Sequence, residues 1–285
     1  MKTMLIFRPL MVLLLGLLLV TIGYGQANKA PQRTYSEVYY HKLKPGHTLA
    51  EARAIENEWK KLHQAQADAD FITGWYMLSS VLTSNPNNGE YDYVTIKSFS
   101  DFGVMDNSYP EKTLVQVFGA EAKTKWADLL KRTEAVQDHG KMELWETIDG
   151  VFAEKRVSPD KSPVWVLDFM RVKDNKHTEY VAMEKSMKSL HKERVAMNNI
   201  VGWNLSSLKY PSGSEKGFSY ATVNFYPSMK EMGDARYAEA FQKAMPGGDI
   251  QKMIDQVYAT RDIVRQEVYY LQEFALKSPP VQASK

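Results

Sequence analysis

Hydrophobic and polar positions along the chain fall into short alternating runs separated by longer stretches of helical period. Residues 35–43 (YSEVYYHKL) and 164–172 (VWVLDFMRV) are β-branched and aromatic with partial alternation, which predicts strands. After His47-Thr48 and His177-Thr178 the period lengthens: Ile55, Trp59 and Leu62 recur at i, i+4, i+7, as do Met183, Met187 and Leu190. These stripes predict helices running to about 67 and 197 with one face on a sheet, and Thr is a suitable N-cap. ITGWYMLSSVL (72–82) and IVGWNLSSLKY (200–210) predict second strands. The turn-rich NPNNGE (85–90) and PSGSEKG (211–217) join them as hairpins to YDYVTIKSF (91–99) and FSYATVNFY (218–226). Further helix is expected over 110–136 and 228–260, broken in the latter by Pro246-Gly247-Gly248, then closing strands over 142–148 and 264–271.

The two halves of this pattern are copies. His63 to His191 and Trp75 to Trp203 are both 128 residues apart, and seven of 21 positions are identical between 55–75 and 183–203. His47-Thr48 parallels His177-Thr178, Tyr93-x-Thr95 parallels Tyr220-x-Thr222, and Ala135, Asp138 and Glu143 parallel Ala259, Asp262 and Glu267. A period this long marks duplication of a domain rather than a solenoid. The boundary falls in EKRVSPDKSP (154–163), whose prolines and charges suit a linker, between repeats at 35–153 and 164–275.

The element order is β-α-β-β-α-β, twice: an α+β chain of two tandem ferredoxin-like repeats. One sheet face of each repeat would carry helices. The other, rich in Tyr, Phe and Trp, would be buried by the second copy. In this order and duplication the chain resembles the dimeric α/β-barrel superfamily, in which two such units pack sheet to sheet. The resemblance covers nearly all of 35–275 and implies an intrachain pseudo-dimeric barrel. Its members do varied chemistry, and no diagnostic motif transfers a catalytic residue.

Lys2 and Arg8, an apolar run from Pro9 to Val20, and Gly23 and Gly25 before Gln26 read as a secretory signal peptide over 1–25. The expected location is then periplasmic or extracellular, with no stable membrane insertion after cleavage. Residues 26–34 and 276–285 are expected to lack fixed structure. Removing Lys2 and Arg8 from 36 basic residues leaves them equal to the 34 acidic ones, which favours neither nucleic acid nor anionic membranes as partner. The chain has no Cys, which excludes disulfide and thiolate chemistry.

Candidate chemistry concentrates where the copies agree. Glu56 and His63 are i, i+7 on one helix side, and Glu184 and His191 repeat them; acid/base catalysis is one reading and a satisfied scaffold the other. No metal-ligand spacing is present, and no cofactor is assigned. Trp75 and Trp203, each following a Gly, are either walls for a flat ligand or core anchors. Some haem-degrading members of the resembled superfamily place a Trp, an Asn and a His in one pocket, of which Trp75 with His63 is reminiscent. Tyr93 and Tyr220 lie on third strands; His41, matched by Met170, alternates with Tyr39 on a face that could point between the sheets. The expectation is a barrel protein holding a small apolar or aromatic molecule between sheet and helices. Its activity would be oxygenase-like or isomerase-like with His63 or His191 as base, or it would bind or scaffold without turnover.

Overall fold

The computed structural model describes residues 33–83, 90–153 and 158–279, so the expected signal peptide lies outside the described residues, as do most of the first hairpin turn and 154–157 of the expected linker. Eight strands form one closed barrel: β1 (Thr34–Leu43), β2 (Gly74–Thr83), β3 (Tyr93–Phe99), β4 (Gln137–Phe152), β5 (Val164–Val172), β6 (Gly202–Tyr210), β7 (Tyr220–Tyr226) and β8 (Arg261–Ala275). All neighbouring pairs are antiparallel. Around the barrel the order is β4-β1-β3-β2 for the first half and β8-β5-β7-β6 for the second.

The closing strands are 16 and 15 residues long, about twice the length their hydrophobic runs predict. Each starts directly at the end of a helix. It pairs with the first strand of its own half and then continues along the other half: β4 lies between β1 and β6, and β8 between β5 and β2. The halves are therefore hydrogen-bonded along two seams, and closure leaves the barrel without a sheet edge. Gly74 and Gly202 sit on these seams. A Cβ on Gly202 would lie 2.2 Å from the Phe152 ring, and one on Gly74 2.8 Å from Leu276. Their recurrence follows from the crossing of the partner strand.

Helices cover the outside. The first half carries α1 (Leu49–Asp68), α2 (Glu111–Phe118) and α3 (Ala122–Val136). The second carries α4 (His177–Ser186), α5 (Lys188–Ala196), α6 (Met229–Gly233), α7 (Tyr237–Ala244) and α8 (Ile250–Thr260). Thr48 caps α1 in a capping box with Glu51, as expected of Thr at this position. Thr178 is not a cap: α4 starts one residue earlier, and Val181 stands where a capping box needs Glu or Gln. Residues 276–278, expected to be loose, are tied to the end of α1: Gln64 donates to the Leu276 carbonyl (2.7 Å) and Lys277 pairs with Asp70 (2.5 Å).

Strand alternation sorts the side chains into two kinds of core. Val38, Tyr40, Trp145, Trp165, Phe169 and Phe225 pack together inside the barrel. Trp75, Tyr93 and Leu62 belong to a helix-side core in the first half, and Trp203, Met183 and Tyr180 to its counterpart in the second.

Candidate functional site

In the first half, helix stripe and strand face bring the shared residues together, but in two separate groups. Tyr93 joins one: its ring stacks on His41 (4.4 Å between centroids), and its hydroxyl donates to Glu56 Oε1 (2.8 Å). Gln137 Nε2 donates to the same carboxylate oxygen at 3.3 Å. His41 does not point between the sheets. Regular alternation along β1 puts Val38 and Tyr40 inside the barrel and His41, with Tyr39, on the helix side, where His41 bonds Thr95 Oγ1 at 2.8 Å. The other group is a ring stack of His63 on Trp75 (5.1 Å), flanked by Trp59 and Tyr109, with Trp126 against both of the latter. Glu56 and His63 share the buried face of α1, two turns apart, each with its own partners.

The second half repeats the scaffold with different neighbours. His191 stacks on Trp203 at 4.4 Å and 8°, the closer of the two pairs. Tyr220 packs at a tilt against Tyr180 and His177. Three replacements matter. Met187 stands at the position of Trp59, Ile250 at that of Trp126, and Arg261 at that of Gln137. The two lost indoles leave a cavity of about 270 Å³ between sheet and helices, walled by Glu184, His191, Trp203, Asp168 and Arg261 among others. Arg261 Nε lies 3.8 Å from Glu184 Oε1, beyond hydrogen-bond reach, and both atoms are buried with no hydrogen-bond partner. Asp168 on the same wall accepts from Gln266 at 2.6 Å. Glu184, His191 and Trp203 thus converge on one space. Arg261 and Asp168, which complete it, escape a search for identities; the signal for Arg261 was a difference between the aligned blocks AVQDHGK and ATRDIVR.

Burial sets the protonation of these groups. It pushes the Glu56 carboxyl up to about 7 against the hydrogen bonds from Tyr93 and Gln137, and Glu184 up to about 7 against the pull of Arg261. It also holds His63 and His191 down at about 3, helped by Lys97 and Arg194 respectively. Both imidazoles are neutral and weakly basic, while both carboxyls are poised near neutrality.

The two rings are opposite tautomers. Gln66 Nε2 donates to the Ser108 carbonyl (2.7 Å), which leaves Oε1 as acceptor for His63 Nδ1–H (3.3 Å). In the second half Arg194 replaces Gln66 and offers a guanidinium N–H to His191 Nδ1 at 3.4 Å, which places the ring proton on Nε2. Nitrogen-15 NMR of the two rings is therefore expected to show Nδ1–H for His63 and Nε2–H for His191, with neither titrating between about pH 5 and 8. A ring that titrates near its free value would contradict this burial.

Among the described residues, no group of three or more His, Cys, Asp or Glu could hold a metal ion, and no helix is long and apolar enough to cross a membrane. Haem does not fit these groups. His63 is occupied by Trp75 and Gln66, and the cavity beside His191 falls below the roughly 300–1,000 Å³ of sites for drug-sized ligands, let alone a tetrapyrrole.

No family model matches the sequence, and no curated protein does. Solved structures do match. A candidate monooxygenase from Fusobacterium nucleatum subsp. nucleatum superposes with a TM-score of 0.51 at 9% identity, over 87% of this chain and 97% of that one. An anthrone oxidase-like protein (TM-score 0.47, 11% identity, 89% and 97% covered) and a haem-binding protein from Thermus thermophilus (0.43, 9%, 84% and 91%) are looser matches. The likeness is one of fold: the chain has the dimeric α/β-barrel architecture.

Proposed function

We propose that this chain is an exported protein built by tandem duplication of a ferredoxin-like unit, which binds a small apolar or aromatic molecule in the cavity of its second half. Glu184 exchanges a proton with that molecule there, in a cofactor-independent oxygenase-like or isomerase-like step. The observation that carries this reading is the buried Glu184–Arg261 pair. Each holds an atom with no hydrogen-bond partner at the wall of a cavity sized for one or two rings. In the first half Gln137 stands where Arg261 does and satisfies Glu56, which makes that copy a scaffold.

The chemistry follows from the pKa values. A carboxyl near 7 is well matched to accept a proton at neutral pH, whereas an imidazole near 3 is a poor base. Glu184 therefore takes the base role that His191 fills in the sequence reading. Glu184 as carboxylate takes a proton from a carbon beside a ligand carbonyl, and the C–H electron pair moves into an enolate. The Arg261 guanidinium faces the developing negative oxygen. Both an isomerase and a cofactor-independent oxygenase require such a carbanion.

The test is deuterium exchange into an aromatic ketone, 2-tetralone, followed by proton NMR. The wild type should accelerate exchange, with a rate that rises with pH through about 7 as Glu184 deprotonates. Glu184→Gln should lower the rate by about 100-fold, the usual scale for a general base, and Glu56→Gln should not. Equal losses in both variants, or none, would overturn the assignment. Binding without exchange in the wild type would support a binding protein without turnover.

A further inference from the structure

A larger cavity lies elsewhere. About 510 Å³ lies inside the barrel, between the two sheets rather than between sheet and helices. Its mouth is formed where β1, β2, β5 and β6 begin and β3, β4, β7 and β8 end, with Thr34, Phe152 and Leu276 among the rim residues. Its floor is Tyr40, Trp145 and Phe169. The Tyr40 hydroxyl and Trp145 Nε1 both donate to Glu143 Oε2, at 2.9 and 3.2 Å, so their polar atoms are already engaged and the floor offers ring faces. The walls are Val38, Ile96, Leu167, Trp165, Val223 and Phe225.

Two features define an occupant. Among the described residues, no Asp, Glu, Lys, Arg or His lines the cavity, so a charged ligand would lose its water with no counter-ion to replace it. The cavity's uncharged polar lining consists of Ser and Thr hydroxyls and the Asn204 amide, beside the Tyr and Trp rings. Ser36 and Ser98 satisfy each other at 2.9 Å, but Asn204 Oδ1 is buried and accepts no hydrogen bond. An acceptor held out of water is costly unless a donor meets it. We propose that the barrel interior is a second binding site, for a neutral, flat or chain-like apolar alcohol or phenol. The apolar body rests on the Tyr40–Trp145–Phe169 floor, and the hydroxyl donates to Asn204 Oδ1.

The probe is 2-naphthol, titrated against full-length protein by quenching of Trp fluorescence, since Trp145 and Trp165 line the cavity. Wild type should bind it, and the anion 2-naphthoate should bind at least about tenfold more weakly. Ala221→Phe, which fills the interior, should abolish binding. Met187→Trp, which fills the other cavity, should leave it unchanged. Asn204→Leu keeps the γ-branched shape and removes the acceptor, so it should weaken binding about tenfold even if the Phe variant folds poorly. Failure of 2-naphthol to bind the wild type, equal affinity for the naphthoate, or full affinity in Asn204→Leu would overturn the proposal. None of these outcomes bears on exchange at Glu184.

Discussion

Lys97→Met should destabilise the protein by about 3–5 kcal/mol at pH 7, the largest single loss of stability expected outside the aromatic core. Lys97 and Glu37 face each other across β1 and β3, 3% and 2% exposed, and form an ion pair on the helix side of the first sheet. Lys97 also reaches Ser108 Oγ at 3.3 Å and lies over the Tyr109 ring. Removing the ammonium leaves a buried carboxylate with no cation, and that orphaned charge is what costs. The second half shows how the position is filled without a pair: Val166 and Asn224 stand there, bonded across the sheet in the same register. Glu37→Val/Lys97→Met should therefore recover to within about 1 kcal/mol of wild type, because it removes both desolvated charges together. Urea unfolding of the two variants measures the difference. A single variant as stable as wild type would mean that the pair is not desolvated.

Met187→Trp should reduce exchange of 2-tetralone by about 100-fold or more while leaving the fold intact, because it restores the indole that the first half carries at Trp59. In the first half Trp59 and Trp126 pack edge to face at 5.2 Å, and Trp59 Nε1 donates to Thr133 Oγ1 at 3.0 Å. In the second half Met187 and Ile250 line the cavity instead. A Trp entering existing space avoids most of the ~1–3 kcal/mol that overpacking a filled core costs, so thermal unfolding should change little. Exchange at the wild-type rate in this variant would show that the chemistry happens elsewhere.

These replacements show what could be read from the residues and what could not. The strand and helix order and the Thr48 cap were legible, because each depends on local pattern along the chain. Barrel closure was only half legible: the seams run along the outer parts of β4 and β8, where bulges interrupt the alternation. His41 was grouped correctly with Tyr39, but alternation says only which residues share a face and not which face is the inner one. The site was hardest. Identities such as His63/His191 and Trp75/Trp203 mark the scaffold both halves need. The cavity arises from positions where the halves differ: Trp59 against Met187, Trp126 against Ile250, Gln137 against Arg261. The interior cavity was not legible at all, since it is a sum of side-chain volumes across seven of the eight strands and Leu276 just past β8.

The central claim is that one scaffold, written twice, keeps its chemistry in the second copy. A crystal structure of the full-length protein soaked with 2-tetralone tests this most directly. The account predicts the ketone beside Trp203, with its oxygen toward Arg261 and its α-carbon toward Glu184, and no ketone beside Glu56 and Gln137. Ketone bound at Glu56, or absent from the cavity between Glu184 and Arg261, would contradict it.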